Sequence, residues 1–302
     1  QSLAGLGRTA ACAKECRLGL QALGRALPPP PLGLVAGIAG QLAGQVRRLL
    51  RPPGRAVHPY PEPGARREEA ELLALVCEAS FYSLEQLQMV YCLLGSTNAA
   101  DDVGAVERQV FGYSGLALLL SMTPLRRGAA AYFARAETLL RRGAQPEPRA
   151  ELELHRVRAL TYVGAGELRA ALHESELAIA GAARLRDDPL RMFSLLVRRM
   201  ASLHLGDFAT ALRDGTEIER LARAGQNVQQ LTWAQTINAM VRLRLGELGQ
   251  ARLDLAEASV HAAEAQDQVA RCAVDALRAQ LRLRQGHAEG CLELLGPTIK
   301  TL

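Results

Sequence analysis

Gly166, Gly206, Gly246 and Gly286 stand forty residues apart, and the text around the first three is nearly the same. It reads Ala165-Gly-Glu-Leu-x-x-Ala171, Leu205-Gly-Asp-Phe-x-x-Ala211 and Leu245-Gly-Glu-Leu-x-x-Ala251, with a degraded copy from Gln285 to Cys291. A fixed period of this size constrains the fold more than any other feature, because it fits one helical hairpin per unit. Such a unit buries its apolar face only by stacking on its neighbours, which builds a solenoid. The expected class is therefore all-α, a right-handed solenoid of stacked antiparallel helical hairpins. Each glycine supplies the left-handed backbone that ends a first helix. The acidic residue after it is placed to cap the second helix. The small residues Ala171, Ala211 and Ala251 let the two helices approach closely.

Composition points the same way. Ala, Leu and Arg, all strong helix formers, dominate the 302 residues. Alternating runs of β-branched and aromatic residues are lacking, so no strand is expected. The net charge of +5 is carried almost wholly by arginine, with lysine only at 14 and 300. That bias fits recognition of phosphates or carboxylates. It fits equally the coding bias of a GC-rich genome, since the 31 acidic residues are interspersed with the basic ones. The six cysteines lie in helical text without metal-ligand spacing and read as free thiols in a reducing cytoplasm. The apolar stretch 32–46 is too short to span a bilayer, and no secretory signal is seen.

Residues 1–50 read as an N-terminal helical segment, the end of a preceding repeat plus one helix. A Pro-rich linker is expected over 51–66, and an array of about six hairpins over 67–302. The expected helix pairs are 67–82 with 84–95, 102–121 with 124–143, 149–164 with 167–184, 189–205 with 208–224, 228–245 with 248–265, and 268–285 with 288–300. Asp188-Pro189 reads as an N-cap followed by proline at the first helical position. The chain begins with Gln and stops inside a second helix, so a piece of a longer polypeptide is expected.

Aligning the units on their glycines gives columns. Val157, Val197, Ile237 and Leu277 stand nine residues before the glycine, and Val163, Leu203, Leu243 and Leu283 stand three before. With Leu160, Met200 and Met240 at six before, the spacing of three between columns places them on one helix stripe. Polar columns hold Arg158, Arg198 and Arg278 at eight before, and Arg242 and Arg282 at four before. Set roughly opposite the apolar stripe, these arginines are candidates for a track that receives acidic peptides, or simply a solvated outer face. Trp233, the sole tryptophan, is either a packing anchor or an exposed partner contact.

Chemistry of other kinds finds no constellation. There is no phosphate-binding Gly-x-x-x-x-Gly-Lys-Ser/Thr loop. Gly112-Tyr-Ser-Gly115 lacks the spacing and the preceding strand of a nucleophile elbow and reads as a glycine-loosened helix. Six single histidines have no ligand spacing. The paired acids Asp101-Asp102 and Asp187-Asp188 read as helix-start residues. No catalytic, metal-binding or cofactor-binding residue is expected.

Gly-[Asp/Glu]-[Leu/Phe]-x-x-Ala at the hairpin turn resembles the tetratricopeptide repeat. The period departs from it, since that family runs ~34 residues per unit, so longer helices and a flatter superhelix are expected. Long units of this kind are similar to the sensor arrays of maltose-activator-type ATPases. They are also similar to the helical regions of large bacterial Ser/Thr kinases and adenylate or guanylate cyclases. The order Ala22-Leu-Gly-Arg-Ala-Leu-Pro28, an apolar helix, a Pro-rich break, then Glu78-Ala-Ser-Phe-Tyr82 resembles those regions too. The resemblance implies a non-catalytic module that binds a protein or peptide and acts on an attached ATPase, kinase or cyclase. The alternative is a basic solenoid for nucleic acid or another polyanion, against which the sparse aromatics weigh.

Overall fold

The computed structural model describes residues 3, 6–50, 62–142 and 147–301. Among them are fourteen helices and no strand. The helices are α1 Thr9–Ala22, α2 Leu32–Leu49, α3 Pro63–Tyr82, α4 Gln86–Val103, α5 Val106–Ser121, α6 Arg126–Arg142 and α7 Pro148–Ala165. They continue as α8 Leu168–Leu185, α9 Asp188–Leu205, α10 Phe208–Gly225, α11 Val228–Leu245, α12 Leu248–Ala265, α13 Gln268–Arg284 and α14 Glu289–Thr301. From α3 onward, successive helices pair as antiparallel hairpins that stack into an all-α solenoid. The two preceding helices do not form a hairpin of the same kind: α1 packs on α3, and α2 on α4.

The hinge chemistry repeats with the sequence. Gly166, Gly206 and Gly246 adopt φ of 77°, 80° and 81° and close α7, α9 and α11. At the first of these, Glu167 N–H returns to the Tyr162 carbonyl at 2.9 Å, which ties off an otherwise orphaned group. Ala171, Ala211 and Ala251 are fully buried between the helices of their hairpins. The acid after the glycine caps only once: Asp207 accepts from Thr210 N–H at 3.0 Å, whereas Glu167 and Glu247 make no side-chain cap. The longer Glu side chain is not among the strong N-caps.

A second punctuation, also forty residues apart, joins one hairpin to the next. Arg186, Gln226 and Gln266 take φ near 55° although none is glycine. Asp187, Asn227 and Asp267 follow them as N-caps, accepting from Leu190, Gln230 and Ala270 N–H at 3.1, 2.9 and 2.8 Å. Asp187, not Asp188, is thus the cap of α9, and Pro189 sits one place further in.

Two boundaries differ from the sequence reading for a packing reason. Pro63–Arg66, expected in the linker, form the first turn of α3, where proline at the first helical position loses no hydrogen bond. Residues 51–61 of that linker lie outside the described residues. Helix α4 runs to Val103, past the Gly95-Ser-Thr-Asn stretch that reads as a break. Ser96 Oγ donates to the Ala70 carbonyl of α3 at 2.8 Å, and Thr97 Oγ1 to the Leu93 carbonyl at 2.7 Å, so burial outweighs the weak local propensity. Asp101 and Asp102 therefore lie in the last turns of a helix, not at a helix start. Asp101 accepts from Tyr113 Oη at 2.5 Å and Gln109 Nε2 at 2.9 Å, while Asp102 pairs with Arg48 and Arg66. Together they tie α2, α3 and α5 to α4.

The array is curled rather than flat. First helices pack on one another (α5 on α7, α7 on α9, α9 on α11, α11 on α13), whereas second helices pack mainly on the next first helix. Each hairpin is therefore a wedge, narrow on the side of its first helix. Stacked wedges bend until α13 touches α3, which overturns the expectation of a flatter superhelix. The core follows the stack as successive clusters, one around α1 and α3–α7, one around α9–α11 and one around α11–α13.

Candidate interaction surface

The arginine columns do not converge on a free track. Arg158 pairs with Glu137 of α6 and lies over the Phe133 ring at 5.5 Å. Arg198 grips Asp214 of α10 through Nε at 2.8 Å and Nη2 at 2.6 Å, and Arg242 pairs with Asp254 of α12. Arg278 is half-buried on α13, and Arg282 is exposed, its Nη1 donating to the Gly290 carbonyl at 3.2 Å. Arg158, Arg198 and Arg242 thus face neighbouring helices, not the side opposite the apolar stripe. The reason is angular: positions eight and nine before the glycine are consecutive residues, only ~100° apart on a helix of 3.6 residues per turn. A helix with neighbours on three sides buries both.

Trp233 is half-buried, and its indole N–H donates to Asp267 Oδ2 at 2.9 Å, bracing α11 against the start of α13. Phe193 stands at the same repeat position on α9, thirteen residues before the glycine, and carries the Arg156 guanidinium of α7 at 4.3 Å over its ring. Both aromatics therefore reach from one first helix to the next, along the row of first helices on the narrow side of the wedges.

Because the coil closes, α3 brings further groups to this row. Tyr82 is buried, and desolvation raises its phenol far above the usual range, with Glu78 and Asp267 adding to the rise and Arg156 opposing it. Glu78 is exposed along its side chain, yet the helices crowded around its carboxyl desolvate it and raise its pKa. Arg156 and Arg108 oppose that rise and Glu153 reinforces it. The inner face thus gathers Glu78 and Tyr82 from α3, Arg108 from α5, Glu153 and Arg156 from α7 and Phe193 from α9. Arg108 is held by Glu71 at 2.7 Å and Arg156 by Glu153 at 2.6 Å. The exposed Glu78 beside half-buried, ion-paired charges and aromatic faces suits contact with an extended polar chain. In the sequence Glu78 and Tyr82 stand out only as the ends of the Glu78-Ala-Ser-Phe-Tyr82 motif and not as site residues, since α3 reaches the site by closure of the coil and not by any local pattern.

Glu78 supplies a pH test. Its folded-state pKa lies above the ordinary 4.5, so the folded chain takes up this proton at higher pH than the unfolded chain. The contribution to stability is complete below the ordinary value and is lost as pH rises through the raised one. Glu78→Gln is therefore expected to match the parent at low pH and to gain on it as pH climbs through the carboxylate range, with a constant gap above. Denaturant midpoints measured from pH 4 to 8 check this, and a gap that shrinks with rising pH contradicts it.

No family model matches the sequence, and no curated protein shows significant similarity to it. Among the described residues, no helix is long and apolar enough to cross a membrane. Nor does any group of three or more His, Cys, Asp or Glu side chains among them have metal-holding geometry.

Proposed function

We propose that this chain is a non-catalytic protein-interaction domain of tetratricopeptide-like build, the sensor or scaffold part of a larger cytoplasmic signalling ATPase, kinase or cyclase of bacterial type. The observation that carries the reading is the convergence of Glu78, Tyr82, Arg108, Arg156 and Phe193, from four helices, on the inner face of a closed coil. The Gly-[Asp/Glu]-[Leu/Phe]-x-x-Ala turn supports the likeness, because its glycine and alanine perform the geometry that the repeat requires. The ligand that fits is an extended peptide with a basic side chain facing the exposed Glu78 side chain. A polyanion is disfavoured: Arg158, Arg198 and Arg242 already neutralise acids of this chain.

Selection of a random peptide library against the intact protein tests the reading. Enriched peptides are expected to carry Lys or Arg and to lose at least tenfold in affinity to Glu78→Lys. Enrichment of nothing, together with single-stranded DNA binding that falls steeply with salt, would replace it with the polyanion reading.

A further inference from the structure

The chain's own N-terminal stretch is seated on the array far from its place in the sequence. Arg8 N–H closes a turn on the Leu3 carbonyl at 3.0 Å. Next to this turn, the Leu6 carbonyl accepts from Val228 N–H at 3.4 Å. Val228 is the first residue of α11, where the backbone N–H has no partner inside its own helix. Gly7 is buried against the same edge with φ of +70°. A Cβ at this position would lie 2.6 Å from Asn227 Oδ1, 2.8 Å from Gln229 N and 2.9 Å from Gln229 Cβ. Left-handed backbone and lack of space both demand glycine here. From Thr9 onward α1 turns Thr9, Ala13, Cys16 and Leu20 inward, the spacing of one helix stripe, and anchors the segment on α3.

We propose that the edge where α10 turns into α11 (Asn227, Val228, Gln229) is a peptide-binding site, held in cis by Leu6 and Gly7, and that a Leu-Gly segment of a partner protein binds by displacing them. The chemistry of recognition is visible in the cis occupant. One backbone carbonyl meets the spare N–H of Val228, and a glycine in left-handed conformation lies where no side chain fits. The neighbouring Gln230 side chain is buried with its Oε1 unpartnered, an acceptor left over beside the same helix start. Release of the segment frees the start of α11, one turn and a half before Trp233, so occupancy of the edge is reported to the braced indole. This inference rests on the protein-interaction reading but concerns a different surface from Glu78.

Two variants of the full chain test it. Gly7→Val cannot take the seat. Val228→Pro removes the N–H donor yet keeps the helix start, because proline is accommodated at the first helical position, as Pro148 is in α7. Asn227 already has the extended backbone that a following proline requires, with ψ of 93°. Hydrogen exchange of segment 3–12 is expected to quicken at least tenfold in both variants, with α3–α10 unchanged. A labelled peptide of residues 1–12 is expected to bind Gly7→Val at least tenfold more tightly than the parent, with a change in Trp233 emission. Exchange of the segment at the unprotected rate in the parent would remove the cis contact. Rapid exchange in the variants without uptake of the peptide would leave a simple structural strap and overturn the receptor site. The library result on Glu78 is independent of either outcome.

Discussion

Leu243→Asp is expected to destabilise the array by about 4 kcal/mol and to do so unevenly along its length. Leu243 is 1% exposed and packs with Ala251, Leu255, Val274, Leu277 and Leu281, where α11, α12 and α13 meet. Removing a buried Leu side chain costs about 2–5 kcal/mol through lost burial and the cavity left behind. The introduced carboxylate adds a desolvation cost unless it takes up a proton. In a stacked array stability is a sum of unit and nearest-neighbour terms, so the damage falls on the hairpins that share this core. Protection against hydrogen exchange should vanish over α11–α14 while α3–α8 keep theirs. Uniform loss over all six hairpins would show instead that closure of α13 on α3 makes the coil a single cooperative unit.

Most of the architecture is legible from the chain, and the limits of that legibility have physical causes. The hinge glycines and Ala171, Ala211 and Ala251 are readable because one backbone conformation and one close approach each admit few residue types. The second punctuation is not readable in the same way. Arg186, Gln226 and Gln266 occupy left-handed backbone that glycine would fill more easily, so composition gives no sign of it. The Asp187, Asn227 and Asp267 caps are periodic, and a search for Asx residues at the glycine period finds them. The arginine columns mislead because a periodic arginine looks the same whether it meets solvent or a buried acid. Asp214 and Asp254, which stand eight residues after their glycines, are the signal that decides it. The inner face is least legible, since Glu78 and Tyr82 reach Arg156 only through curvature of the whole stack.

Arg199 shows how such a buried charge sets a second large expectation. It is fully buried on α9, donates to the Ala234 carbonyl at 2.8 Å and to the Asn238 side chain of α11, and leaves its Nε unpartnered. Burial draws its pKa down from 12.5 to about 10, against the pull of Glu219, Asp214 and Asp254. Those acids already have cations of their own in Arg223, Arg198 and Arg242. The guanidinium is thus the surplus charge of its cluster, and Gly215 of α10 makes room for it and for its partner: a Cβ there would lie 2.5 Å from Asn238 Oδ1, 2.7 Å from Arg199 Nη2 and 2.8 Å from Cζ. Arg199→Ala is expected to cost about 3–5 kcal/mol, because it empties a closed site and strands Asn238. Arg199→Met keeps much of the volume without the charge but leaves the same Asn238 Oδ1 without its donor, and is expected to cost clearly less than Arg199→Ala. The space argument adds a coupling: Gly215→Ala should be clearly destabilising in the parent and less so beside Arg199→Ala, where Asn238 alone still crowds the added methyl. A double-mutant cycle measured by denaturant unfolding reads that coupling directly. Additive effects would mean that glycine at 215 makes room for Asn238 of α11 and not for the arginine inserted between α10 and α11.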